Sequence, residues 1–252
     1  MQKNCLMIDA LYKFFYKKTR KKQFISFEEI TFKINQDCFF NKLFFKINSN
    51  GITLIMGPNG AGKTLCMKII AGLIQPLEGK IKFNEPKKPR ISYVSQETVF
   101  LRRNVYDNLA YALKINKFSE SEIKYRIESL VSIFNFKDFL YLSARKLSFG
   151  QQQLLSVIRS LIIKPDIILL DEPCSNIEPN LTKEIENILK KISVLGIKVI
   201  LVTHDILQAK RLADDILFIH KGVILEQTKK EEFFKRPKSK FGANYIKGKL
   251  IN

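Results

Sequence analysis

The chain has 252 residues, 46% of them hydrophobic, enough for one large or two small domains built on a real apolar core. Its formal charge of +19 points to an anionic partner, whether nucleotide, nucleic acid or acidic membrane surface, although the lysines are spread along the whole length as they are on solvated faces. Cys5, Cys38, Cys66 and Cys174 stand far apart with no CxxC pair, which argues against a disulfide framework and a zinc site, and no apolar run approaches the roughly 20 residues of a bilayer span.

In chain order, residues 1–23 read as a basic arm in which Lys13, Lys17, Lys18, Arg20, Lys21 and Lys22 interleave with Phe14, Phe15 and Tyr16. Lys13 splits the apolar run too early for a signal peptide, and the composition suits either an anionic lipid surface or a plain disordered tail. The globular part is expected over 24–252. FISFEEITFKI alternates as a half-buried strand does, and FFNKLFFKI and GITLIM are two further extended stretches that lead into GPNGAGKT and the helical pattern LCMKIIAGLI. About residues 97–146 have helical apolar spacing and neither glycine nor proline, and read as a helical insertion. After it come the helix QQQLLSVIRSLII, the strand DIILL, a helix from about Leu181 to Leu195, the strand KVILVT and a C-terminal tail from about residue 229. Pro165 and Gly196 fall where helix stops are expected. Strands alternating with helices predict an α/β fold with a mostly parallel sheet covered on both faces.

Gly57, Pro58, Asn59, Gly60, Ala61, Gly62, Lys63 and Thr64 fit the GxxxxGK[ST] phosphate loop in its strand-to-helix setting. Backbone N–H groups would turn inward around the phosphates, Lys63 would reach the β and γ oxygens, and the Thr64 hydroxyl would ligate magnesium. Asp171 ends the apolar strand IILL, the position at which α/β sheets place ligands, and suits magnesium held through water. Glu172 beside it is placed to orient or deprotonate the water that attacks the γ-phosphate. His204, after KVILVT, offers an imidazole to the γ-phosphate, and Gln96, after ISYVS, offers a neutral amide to magnesium or the water. His220, in LFIHKG, reads as a strand-end surface residue.

The ordered set GPNGAGKT, Gln96, LSFGQ, ILLDEP and His204 resembles the ATP-binding subunit of ABC transporters over about residues 24–228. The resemblance implies a P-loop NTPase fold, a RecA-like core with an antiparallel β subdomain and a helical subdomain at about 97–146. It implies ATP and Mg2+ as cofactors and a homodimer in which each ATP lies between the phosphate loop of one subunit and the LSFGQ signature of the other. Ser148, Gly150 and Gln151 would then act in trans. Gln96 would sense the membrane partner, Glu172 would be the catalytic base and His204 the switch.

Several positions depart from the family pattern. Ile34 stands where an aromatic residue usually stacks on adenine, with Phe32 on the same strand as a substitute or a core residue. Leu65 replaces a hydroxyl that often contacts the α-phosphate, and Glu178 in PCSNIEP stands where aspartate is usual. Phe149 replaces the first signature glycine; the expectation is that its ring points away while Gly150 supplies the nearer N–H at the helix start.

YVSQETVFLRRNVYDNLAYAL, LVTHDILQAKRLADDILFIHKG and EEFFKRPKS resemble importers of oxyanions, tungstate first and phosphate next. Such a subunit would sit on the cytoplasmic face of the cell membrane, held by a transmembrane permease and served indirectly by an extracytoplasmic binding protein, with no nucleic acid involved. An exporter or lipid-transport ATPase, or a soluble ABC-type ATPase acting on nucleic acid, remain the alternatives.

Overall fold

The structure, a computed structural model, describes residues 2–15, 25–48, 51–83 and 88–249. Helix α1 (Gln2–Phe15) is followed by β1 (Ile25–Ile34) and β2 (Asp37–Ile47), an antiparallel pair whose partner register runs from Ile25 opposite Ile47 to Ile34 opposite Asp37. Phe27 and Phe45 face each other across this pair with ring centroids 4.1 Å apart, the cross-strand aromatic contact that fixes register where one face is buried. Then come β3 (Ile52–Met56), α2 (Lys63–Ala71), β4 (Glu78–Phe83) and β5 (Ile91–Val94). Helices α3 (Val105–Ile115) and α4 (Glu120–Ile133) make up the expected insertion, each started by a side-chain cap: Asn104 accepts from Asp107 N and Ser119 from Glu122 N.

Helix α5 (Phe149–Leu161) begins in a reciprocal capping box between Ser148 and Gln151. Strand β6 (Ile167–Asp171), helix α6 (Pro179–Val194), strand β7 (Lys198–Val202), helix α7 (Ile206–Leu212) and the antiparallel hairpin β8 (Asp215–His220) and β9 (Val223–Lys229) follow, then α8 (Lys230–Lys235) and α9 (Lys240–Ile246). The strands form two sheets. One has the order β2-β1-β4 and is antiparallel; the other has the order β5-β6-β7-β3-β8-β9 and is parallel up to β8.

Alternation within the buried strands divides the core. Leu54, Met56, Leu170, Leu201 and Phe218 face the helical layer of α1 and α3 to α8, while Ile55, Leu169, Ile200 and Leu217 face α2 and the antiparallel sheet. The mostly parallel sheet is therefore covered on both sides, which is why its strands read as unbroken apolar runs.

Three features differ from the sequence reading. Residues 2–15 of the supposed arm are a helix that buries Leu11, Phe14 and Phe15, with the Lys164 ammonium 4.4 Å from the Phe14 ring centroid, so those two phenylalanines are committed to the core and not to a lipid face. Tyr16, Lys17, Lys18, Arg20, Lys21 and Lys22 lie outside the described residues. His220 is buried rather than on the surface, its ring stacked 4.5 Å from that of Phe241. The C-terminal segment, as far as residue 249, is packed: Phe233 is fully buried and Tyr245 lies against Phe218.

Candidate functional site

Strand β3 ends at Met56 and the chain turns through Gly57, Gly60 and Gly62, at φ 151°, 74° and 108°, before α2 begins at Lys63. Gly57 is obligatory for a second reason: a Cβ there would stand 2.0 Å from the Ile219 carbonyl oxygen of β8. The loop so formed is a concave row of backbone around a buried cation. The Lys63 ammonium donates to the Gly57 and Pro58 carbonyl oxygens, at 2.9 Å each. Desolvation lowers its pKa, against the opposing pull of the Glu172 and Asp171 carboxylates.

Asp171 closes β6 and is buried. Burial raises its pKa, while hydrogen bonds from Thr64 and Tyr93 work the other way, the Tyr93 hydroxyl donating to Oδ2 at 3.2 Å. Glu172, one residue on, is held at φ 48°, a left-handed conformation costing roughly 1 kcal/mol or more in a residue with a side chain, with its N–H bonded to Val202 O at 3.0 Å. That turn sends its carboxylate into a cluster. Oε2 lies 3.1 Å from His204 Nδ1, accepts from Ser175 Oγ at 3.0 Å, and is 3.4 Å from Gln96 Nε2. Gln96 is in turn steadied through its backbone, because the buried Gln153 amide donates to Gln96 O at 3.0 Å.

Ile34, Phe39, Asn59, Gly60, Ala61, Gly62, Lys63, Thr64, Leu65, Gln96, Glu172 and His204 line one cavity of about 730 Å³. The structure thus brings Ile34, most of the phosphate loop, Gln96, Glu172 and His204 together, and joins Asp171 to them through Thr64. Ser148, Gly150 and Gln151 are not in that lining. Ser148 Oγ accepts from Gln151 N and Gln151 Oε1 from Ser148 N, at 3.3 and 3.0 Å, so both side chains are engaged within their own helix start. Phe149 is 48% exposed, and a Cβ at Gly150 would lie 2.4 Å from Leu181 Cδ2 of α6, a side-chain end that would have to shift. Phe32 packs on the core and is absent from the cavity.

Sequence reasoning missed Tyr93, Ser175, Gln153 and Phe39. Tyr93 had a signal, a polar aromatic in a strand beside β6; the amide of Gln153 had none, since it sits in a run of three glutamines of which only the fold selects one.

The residues present fit a magnesium nucleotide. A glycine cradle at a helix start and a buried ammonium suit phosphate oxygens. The Thr64 hydroxyl and the Asp171 carboxylate form a hard oxygen pair of the kind Mg2+ takes.

A phosphate loop between β3 and α2, an acidic pair at the end of the neighbouring-but-one strand, a separate antiparallel sheet and a helical insertion ahead of α5 together define a P-loop nucleotide-binding domain of the ABC type. The ABC transporter family model matches residues 40–175, and the chain belongs to that family. Among its relatives, a spermidine/putrescine import ATP-binding protein of Clostridium acetobutylicum is 35% identical over 88% of this chain and 66% of its own. A molybdate/tungstate import ATP-binding protein of Methanocaldococcus jannaschii is 34% identical over 79% of this chain and 69% of its own. The chain spans between 60% and 69% of the length of the curated relatives it matches. Among solved structures, a Clostridium perfringens component of the cbiONQ ABC transporter complex superposes with a TM-score of 0.76 at 23% identity, covering 86% of this chain and 92% of that one, a likeness of fold.

Proposed function

We propose that the chain is the ATP-hydrolysing subunit of an ABC importer, working as a homodimer on the cytoplasmic face of a membrane permease supplied by an extracytoplasmic binding protein. The observation that carries this reading is the convergence of Gln96, Ser175 and His204 on the Glu172 carboxylate beside the phosphate-loop cavity. In it, Lys63 exchanges its two carbonyl partners for the β and γ oxygens of ATP. Thr64 and Asp171 hold magnesium, which when bound neutralises phosphate charge. The Glu172 carboxylate orients the attacking water and takes its proton, while the imidazole of His204 steadies the carboxylate and faces the terminal phosphate. Most of the rate enhancement is then positioning and charge stabilisation. Ser148, Gly150 and Gln151 complete the site of the second copy, and closure of the pair drives the permease.

Light scattering on the Glu172→Gln protein with and without ATP tests this. Loss of hydrolysis together with an ATP-dependent dimer is expected; full hydrolysis by the variant would remove Glu172 from the role of base.

For the cargo, the reading is an oxyanion of the molybdate or tungstate kind, supported by the relative from Methanocaldococcus jannaschii. A polyamine is the second reading, supported by the relative from Clostridium acetobutylicum. Uptake of tungstate against spermidine into vesicles carrying the whole transporter decides between them.

A further inference from the structure

The cavity along the phosphate loop has an apolar part that the chemistry above does not use: Ile34, Phe39 and Leu65. The usual antiparallel alternation fails at Phe39. Lys33 is partnered with Cys38 and Phe32 with Phe40, so no residue of β1 stands opposite Phe39. It is the extra residue of a β-bulge, a device that re-aims a side chain. Consecutive residues therefore turn their rings to the same side. The Phe39 and Phe40 rings are 5.1 Å apart and tilted by 57°, and both lie 2.8 Å from where a Gly62 Cβ would be. Phe40 is fully buried, whereas Phe39 is half-buried and reaches the cavity.

Phe39 is also held in place by its backbone. Its backbone carbonyl oxygen would stand 2.0 Å from a Cβ on Gly222, at φ 76° in the β8–β9 turn, and Gly222 N donates to Ala61 O at 3.1 Å. Residue 39 is thus held by its backbone between the phosphate loop and a hairpin, with its ring packed against that of Phe40. Ile34, 47% exposed, stands on the neighbouring strand end and has no flat face of its own to offer.

We propose that Phe39 is the platform for the nucleobase, and that Ile34 and Leu65 complete an apolar clamp around it. This rests on the nucleotide reading of the site. An aromatic ring flanked by two aliphatic side chains reads the π-face of a base and none of its hydrogen-bonding edge, so adenine and guanine nucleotides are taken with similar affinity. The bulge makes the difference between a strand with no aromatic at position 34 and a working base site: it brings the ring from the adjacent strand.

The test is calorimetric binding of MgATP, MgGTP and magnesium tripolyphosphate, which has the phosphates and no base, to the full chain and to Phe39→Leu and Phe39→Trp. Phe39→Leu keeps apolar bulk against Gly62 and Phe40, and is expected to weaken both nucleotides roughly tenfold while leaving tripolyphosphate unchanged. Phe39→Trp is expected to retain nucleotide affinity. As the chain has no tryptophan, the introduced indole also reports directly: quenching by ATP and not by tripolyphosphate is expected. Unchanged ATP affinity in Phe39→Leu overturns the proposal, and so does an equal loss for all three ligands, which would mark Phe39 as a support of the loop. ATP affinity far above that for GTP overturns the claim that the base edge is unread. Failure of the unaltered chain to bind any of the three would instead overturn the nucleotide reading itself.

Discussion

Lys198 opens β7 in the middle of the parallel sheet and is 1% exposed, its ammonium donating to Thr53 Oγ1 at 2.8 Å and to Gly51 O at 3.2 Å. Burial lowers its pKa from 10.5 to about 8, although Asp215 and Asp214 pull it upward and Lys229 downward. Holding this charge in the folded state at neutral pH therefore costs about 3 kcal/mol, at about 1.4 kcal/mol for each tenfold change in proton affinity. Lys198→Met removes the charge and keeps the volume. The Thr53 hydroxyl and the Gly51 carbonyl each lose a donor, at about 1 kcal/mol apiece. Neither neighbouring acid is abandoned, since Asp215 pairs with Lys229 at 2.7 Å and Asp214 accepts from Ile52 N at 2.7 Å. The variant should gain about 1 kcal/mol at pH 7, measured by urea unfolding.

The pH dependence carries the sharper test. Below the folded pKa both states hold the proton and the full cost is present. As pH rises from about 8 toward 10.5 the folded state has released a proton that the unfolded chain keeps, so the unaltered protein gains stability and its deficit against Lys198→Met closes. A variant that is less stable at pH 7, or a difference that stays constant across that window, refutes the account.

Tyr93→Phe removes the hydroxyl that donates to Asp171 and nothing else; MgATP affinity should fall about five- to tenfold, while ATP binding in excess chelator is unchanged by titration calorimetry. Phe149→Ala trims a half-exposed ring at the first turn of α5; in the Glu172→Gln background the ATP-dependent dimer should persist, and its melting temperature without nucleotide should move by no more than a degree or two.

Much of this molecule was legible in its sequence because the informative residues sit where local chemistry and fold agree. GPNGAGKT needs its glycines at positive φ whatever surrounds it, and the IILL of IILLDEP is apolar because β6 is covered on both faces. What escaped depended on contacts between distant segments. Phe39 reads only as part of the extended stretch FFNKLFFKI; the adjacent pair Phe39 and Phe40 breaks strict alternation, but only the pairing with β1 shows that Phe39 is the extra residue. Phe14 and Phe15 read as an arm because charged neighbours mask a helix whose apolar side is matched by distant segments, among them Lys164 and the surfaces of α4 and α6. His220 was misplaced because the ring that covers it, Phe241, lies beyond the end of the recognisable pattern.

The two carbonyl oxygens that hold Lys63 set what a ligand must do to reach its ammonium. An ammonium already satisfied by Gly57 O and Pro58 O has little pull on a lone small anion, because such a ligand must outbid a fixed pair of dipoles. A triphosphate does so by bringing several anionic oxygens to the whole loop at once. In the proposed cycle, cleavage would end that collective advantage, and the same two oxygens would compete with the departing phosphate for the ammonium. On the proposed function, this carbonyl pair would compete with the product for the ammonium, and turnover would end by returning the cation to it.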